Sequence, residues 1–182
     1  MTIENKSLSQ ADIEVLIREM ANSKTEKMED LYTATSTAVF GYALSILKNK
    51  SDAEDVVHDC YLKVYQSCKT YKPQGKPLAW ILTITRNLCL ERLRKDSNIT
   101  DTEIEDWMLK DEDALSTEEK LTLRESMLIL GEEERQVVYL HAVTGLKHRE
   151  IAKVMDSSLG TVLSKYNRAI KKLKVELEKG DS

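Results

Sequence analysis

Apolar positions recur at helical spacing through most of the chain. In SQADIEVLIREMANS, Ile13, Leu16, Ile17 and Met20 fall at i, i+3, i+4 and i+7, the pattern of an amphipathic helix. MEDLYTATSTAVFGYALSILKN repeats it with Met28, Leu31, Thr35, Tyr42 and Ile46. Its threonines lower helix propensity without interrupting the apolar face. Ser51-Asp52-Ala53-Glu54 reads as a capping box, a hydroxyl followed three residues later by a glutamate. It predicts a third helix with Val56, Val57, Cys60, Tyr61, Val64 and Cys68 inward and Asp52, Asp55, Asp59 and Lys63 outward. Two prolines and a glycine in YKPQGKP, Tyr71 to Pro77, must end that helix. Pro77 is suited to open a fourth, running through Leu78, Trp80, Ile81, Ile84 and Leu88 to Leu93.

The pattern then breaks. From Asp96 to Glu119 one base, Lys110, stands among ten acids, and Trp107, Met108 and Leu109 have no helical partner face. Such composition predicts a linker with a short sticky patch. Ser116-Thr117-Glu118-Glu119 is a second capping box, followed by predicted helices Lys120 to Leu130, Glu132 to Ala142, Lys147 to Met155 and Ser158 to Glu178. Gly145 punctuates the middle pair, and Met155-Asp156-Ser157-Ser158 predicts a tight turn. Two helices joined by such a turn form a helix-turn-helix. Ile151, Ala152 and Met155 face inward from the first, and Val162, Tyr166 and Ala169 from the second. Ser158, Leu159, Thr161, Ser164, Lys165 and Arg168 point out. The expected fold is all-α: two small helical domains, 1–96 and 117–182, joined by an acidic linker, 97–116.

Composition agrees with long helices. Six Gly and two Pro in 182 residues are few for a β-sandwich with its many turns. No apolar run is long enough for a membrane span, and MTIENKSLSQADIE lacks the basic and apolar regions of a signal peptide, so a cytoplasmic protein is expected. Cys60, Cys68 and Cys89 show no metal-ligand spacing and are expected as small core hydrophobes. His58, His141 and His148 are scattered along the chain. No catalytic constellation or phosphate loop is evident, so neither an enzyme nor a cofactor is expected.

Charge sharpens the picture. The formal net charge is −4, yet Gly160 to Val175 carries Lys165, Arg168, Lys171, Lys172 and Lys174 and no acid. A solvated helix face would account for such a run. Small polar and basic groups at the start of the second helix of a helix-turn-helix can also reach base edges and phosphates in the major groove.

REIAKVMDSSLGTVLSKYNRAIKKLK resembles region 4 of the extracytoplasmic-function (ECF) sigma factors, in Glu150-Ile151-Ala152, Gly160-Thr161-Val162, Ser164 and Arg168-Ala169. Arg135 in GEEERQVVYL matches the family's pattern upstream. DAEDVVHDCYLKVY and WILTITRNLCLERLRK resemble two helices of the family's region 2. The resemblance implies a region 2 bundle and a region 4 helix-turn-helix. It implies that Asp52, Glu54, Asp55, His58, Asp59 and Lys63 dock on core RNA polymerase, at the β′ coiled-coil. Tyr71, Lys72, Gln74, Lys76, Trp80, Arg86, Asn87, Arg92 and Arg94 would bind and melt the −10 element, although Trp80 read by itself also suits a core anchor. Ser158, Thr161, Leu163, Ser164, Lys165, Arg168, Lys171 and Lys172 would read the −35 element. The implied partners are core polymerase with its β′ and β subunits, promoter DNA and an anti-sigma factor, often membrane-bound in this family. Leu163 stands where the family often carries Lys or Arg, Pro77 replaces an aromatic or apolar residue, His58 a Gln and Gly131 a Pro; these departures bear on promoter preference. A helix-turn-helix regulator acting without polymerase, or a sigma-like interaction protein, are the rival readings.

Overall fold

The computed structural model describes residues 9–22, 24–95 and 128–180. Among the described residues, seven helices run in order: α1 (Gln10–Ala21), α2 (Lys27–Leu47), α3 (Lys50–Ser67), α4 (Pro77–Lys95), α5 (Glu132–Ala142), α6 (His148–Val154) and α7 (Leu159–Gly180). A 3-10 turn, Cys68–Thr70, follows α3, and there is no strand among the described residues. The acidic linker 97–116 with Trp107, Met108 and Leu109, and the capping box at Ser116, lie outside the described residues. So does the helix expected over Lys120 to Leu130, apart from 128–130.

The caps show why the helices start where they do. Ser9 accepts from the Asp12 backbone N–H at 3.2 Å, while the Asp12 carboxylate accepts from Ser9 N at 2.9 Å, a capping box that opens α1. The box expected at Ser51 is displaced. Asn49, in extended conformation, caps α3 and its side chain accepts from Asp52 N at 3.0 Å. The reason is the short connection: α2 ends at Leu47 with Lys48 in the left-handed region at φ 56°, so Asn49 must cap at once and Ser51 already lies inside the helix. Pro77 does open α4, helped from a distance by the Gln10 side-chain oxygen, which accepts from Leu78 N at 3.3 Å.

The central helix is α2, against which α1, α3 and α4 pack. Ile13, Ile17 and Met20 of α1 and Leu31, Thr35, Tyr42 and Ile46 of α2 are buried. Two polar bolts cross this core: Thr35 Oγ1 and Tyr61 Oη at 2.7 Å, and Cys60 Sγ and Thr85 Oγ1 at 3.4 Å. All three cysteines are buried and free, and burial pushes the Cys60 and Cys89 thiols up to about 11 and about 12. Leu93, expected at the apolar end of α4, is exposed.

The second unit holds α5, α6 and α7, with buried Ile151, Ala152, Val154 and Met155 facing Val162 and Ala169. Asp156, at φ 48°, makes the turn between α6 and α7. A short polar side chain tolerates that left-handed conformation better than most. The units are in contact: α5 packs on α2, and α6 on α4. No described helix is long and apolar enough to cross a membrane.

Candidate nucleic-acid interface

The loop between α3 and α4 is held from α1. Glu14 Oε1 accepts from the Tyr71 hydroxyl at 3.0 Å and from Gly75 N at 3.2 Å. Gly75 turns the chain at φ 67°, where a side chain would be strained. Burial, and then the bond to Glu14, push the Tyr71 phenol up to about 12. Its ring leans on Trp80 with centroids 4.7 Å apart. Both rings are half-buried, so Trp80 anchors the loop and also offers part of its face to a cleft. That cleft, of about 530 Å³, brings together Tyr71, Lys72, Gln74, Lys76 and Trp80. Glu14 and Gln10 escaped sequence reading because they are an ordinary acid and amide on a polar helix face; no local pattern marks them.

The remaining expected −10 residues divide. Trp80, Asn87 and Arg94 succeed one another at seven-residue intervals, two turns each, and so share one side of α4. Asn87 and Arg94 are exposed and Arg86 is half-buried. Arg92 is turned to the other side, where its guanidinium meets Asp52 at 2.6 Å and Asp55 at 2.9 Å. Burial opposes its charge, but the two carboxylates outweigh that and raise its pKa. Arg92 thus bolts α4 to α3 rather than standing beside the loop.

The six expected polymerase contacts on α3 likewise lie on two sides. Asp59 and Lys63 line a groove between α3 and α4, together with Arg92 and Glu91. Glu54 and His58 line another, between α2 and α3, with Tyr32 and Phe40. Asp52 and Asp55 hold Arg92 at the edge of the first groove.

At the start of α7, the Ser158 hydroxyl accepts from Thr161 N at 3.1 Å and meets the Thr161 hydroxyl at 2.8 Å. This caps the helix and fixes both hydroxyls at its exposed end. Leu163 is 39% exposed, and Ser164 is exposed beside it. The basic stripe is partly spoken for. Lys165 is ion-paired with Glu133, and Glu134 takes Lys172 at 2.7 Å and Arg168 at 3.8 Å. The Lys172 ammonium, against the cost of burial, keeps the Glu134 carboxyl below its usual range. The cations of α7 therefore neutralise the acidic first turn of α5 as well as facing solvent. Arg168 and Lys171 remain exposed.

Two of the three histidines scattered in sequence come together in space, while His58 stays apart on α3. His141 and His148 stack with centroids 4.5 Å apart, and both meet the edge or face of Tyr166. They pin α5, α6 and α7 together. Arg135 is buried and donates to the Leu130 carbonyl at 3.0 Å, so its place in the sequence pattern is structural.

Two family descriptions match separate stretches of the chain. The Sigma-70 region 2 family matches residues 31–99 and the Sigma-70 region 4 family residues 120–173. The chain is 24% identical over 172 residues to an ECF RNA polymerase sigma factor SigK of Mycobacterium sp. (strain KMS), covering 90% of this chain and 89% of that protein. It is 23% identical over 173 residues to the SigK of Mycobacterium ulcerans, with 90% and 92% covered. Among solved structures it is similar to CnrH in complex with the cytosolic domain of CnrY, with a TM-score of 0.65, 22% identity, and 93% and 98% of the two chains covered. It is also similar to the sigma factor RpoE in complex with the anti-sigma factor NepR from Bartonella quintana, with a TM-score of 0.69, 19% identity, and 82% and 96% covered.

Proposed function

The chain belongs to the extracytoplasmic-function group of sigma-70-type sigma factors, and we propose that it binds core RNA polymerase through α3 and reads promoter DNA with two separate surfaces. The observation that carries this reading is the presence, in one chain, of both an aromatic, basic loop and a capped, exposed recognition helix. Tyr71 and Trp80 offer stacking surface, Gln74 a base-edge partner and Lys72 and Lys76 cations, the chemistry of single-strand capture at the −10 element. Arg94 and Asn87 continue that surface along α4, with Arg86 at its edge. Ser158, Thr161, Leu163 and Ser164 enter the −35 major groove, while Arg168 and Lys171 attract phosphates. Arg92, Lys165 and Lys172 act first as internal ion-pair partners. The division into 1–96, 97–116 and 117–182 is the functional one, with the acidic segment tethering the two DNA surfaces.

We read it as an initiation factor that catalyses no reaction itself and works in the cytoplasm beside core polymerase. An anti-sigma factor is its expected restraint, as the complexes of similar fold suggest. Run-off transcription with core polymerase on a promoter bearing both elements tests the reading. Transcription from the start site in its presence, and none with core alone, supports it. Duplex binding without transcription would leave a conventional helix-turn-helix regulator or an interaction protein. Asp59→Arg should weaken co-purification with core by reversing charge on an exposed site; loss only with Glu54→Arg would move the docking face to the α2–α3 groove.

A further inference from the structure

The two DNA surfaces do not stand apart: the units carrying them dock, and the docking has a specific seat. Gly41 lies inside α2, where glycine weakens a helix relative to alanine. Its lack of a side chain has a use. A Cβ at this position would overlap the hydroxyl and ring of Tyr139 on α5. The bare helix surface also uncovers two backbone carbonyls, and the Tyr139 hydroxyl donates toward Ala38 O at 3.3 Å and Thr37 O at 3.5 Å. Its ring stacks on Tyr42, centroids 6.4 Å apart and planes within 12°. Burial pushes the Tyr139 phenol far above its usual value, so it stays a donor. A second contact lies at the loop, where Lys76 is ion-paired with Glu150 of α6. Between these contacts, Tyr71, Gln74 and Trp80 form one wall of the cleft and Lys147, Glu150 and Lys153 the other.

We propose that Gly41 and Tyr139 form a latch that holds the chain closed, with the helix-turn-helix unit covering the strand-capturing face of the loop. The closure stands on the contacts alone; its meaning for DNA rests on the sigma-factor reading. Distance makes the closed form incompatible with promoter binding. Elements at −10 and −35 lie roughly 25 base pairs apart, about 85 Å at 3.4 Å per pair. Even α7, with 22 residues, is only about 33 Å long. A chain whose loop touches α6 cannot reach both elements, so the latch must open before both are engaged.

The test uses the full chain. Small-angle scattering reports closure, and binding of a fluorescent single-stranded −10 oligonucleotide reports access to the loop. The parent should scatter near the roughly 16 Å radius of gyration of a compact chain of this length. Gly41→Ala should expand it by several ångströms while leaving helical content intact, since alanine favours α2. If the closed form outnumbers the open by about ten to one, the variant should bind the oligonucleotide about tenfold more tightly. Tyr139→Ala should open the chain from the other side, and the double variant should expand no further than either single one, as expected for one shared contact. A parent already expanded, or a Gly41→Ala chain as compact as the parent, overturns the latch. Expansion without tighter single-strand binding overturns the covering of the loop. If neither parent nor variants bind core polymerase or the oligonucleotide, the sigma-factor reading fails, and scattering still decides the latch.

Discussion

The loop from Tyr71 to Trp80 and the recognition end from Ser158 to Lys165 are both proposed to bind DNA, yet they are built in opposite ways. The loop takes its shape from residues 57 to 68 positions away: Glu14 holds Tyr71 and Gly75, and Gln10 caps the helix that follows. The recognition end is shaped by its own sequence, with Ser158 capping through Thr161 three residues on. The loop faces a cleft walled by the other unit, whereas Leu163 and Ser164 face solvent. A surface made by distant contacts can be switched by moving those contacts. A surface made locally is present whenever its helix is.

The largest test of this contrast is at the aromatic wall. Trp80→Ala should cost single-strand binding about 1–3 kcal/mol, the worth of one base stack. Glu14→Ala should cost about 1 kcal/mol by releasing Tyr71 and Gly75. Neither should alter binding of a −35 duplex, as fluorescence anisotropy on both probes will show. Equal losses on both probes would mean that the units unfold together and would erase the distinction.

A smaller effect separates Arg92 from its neighbour. Arg92→Ala removes ion pairs that are partly exposed, so it should cost no more than about 1 kcal/mol of stability in urea melts. It should leave the salt dependence of single-strand binding unchanged. Arg94→Ala should flatten that log–log slope by about 0.7. A flattened slope for Arg92→Ala would return this residue to the DNA surface.

On the recognition helix, Leu163→Arg should steepen the slope for duplex binding by about 0.9, one added phosphate contact. Lys171→Ala should flatten it by a similar amount, and Lys165→Ala by less, because Glu133 already neutralises Lys165. If Leu163→Arg weakens binding to the cognate duplex and strengthens it to unrelated DNA, Leu163 reads a thymine methyl instead.

The smallest expected effect is a pH difference between the units. Burial first, and then His141, depress the His148 pKa from 6.5. The unfolded chain therefore binds this proton more readily than the folded one. The stabilisation is present above the ordinary histidine value and is lost as pH falls through it toward the depressed one. Hydrogen exchange at pH 7.5 and 5.5 should show α5–α7 loosening more than α1–α4, and His148→Gln should remove the difference.

Much of this molecule was legible in one dimension. The helix over Glu132 to Ala142, the start at Pro77, the turn at Asp156 and the burial of Cys60, Cys68 and Cys89 all follow from signals within a turn or two. Apolar spacing chooses the buried face, and proline and short polar residues mark its ends. What the tertiary structure decided was which polar groups meet. Arg92 and Arg94 are the same residue type two positions apart, but a helix turns that spacing to different sides, and only α3 supplies the carboxylates that claim Arg92. Lys165 and Lys171 look alike until α5 brings Glu133 to one of them. Gly41 reads as a weak point in a helix until Tyr139, almost a hundred residues later, occupies the space it leaves. Periodicity and capping act through neighbours along the chain and so are written in its order. Charge pairing and close backbone approach depend on helices meeting across sequence distances that no local pattern encodes.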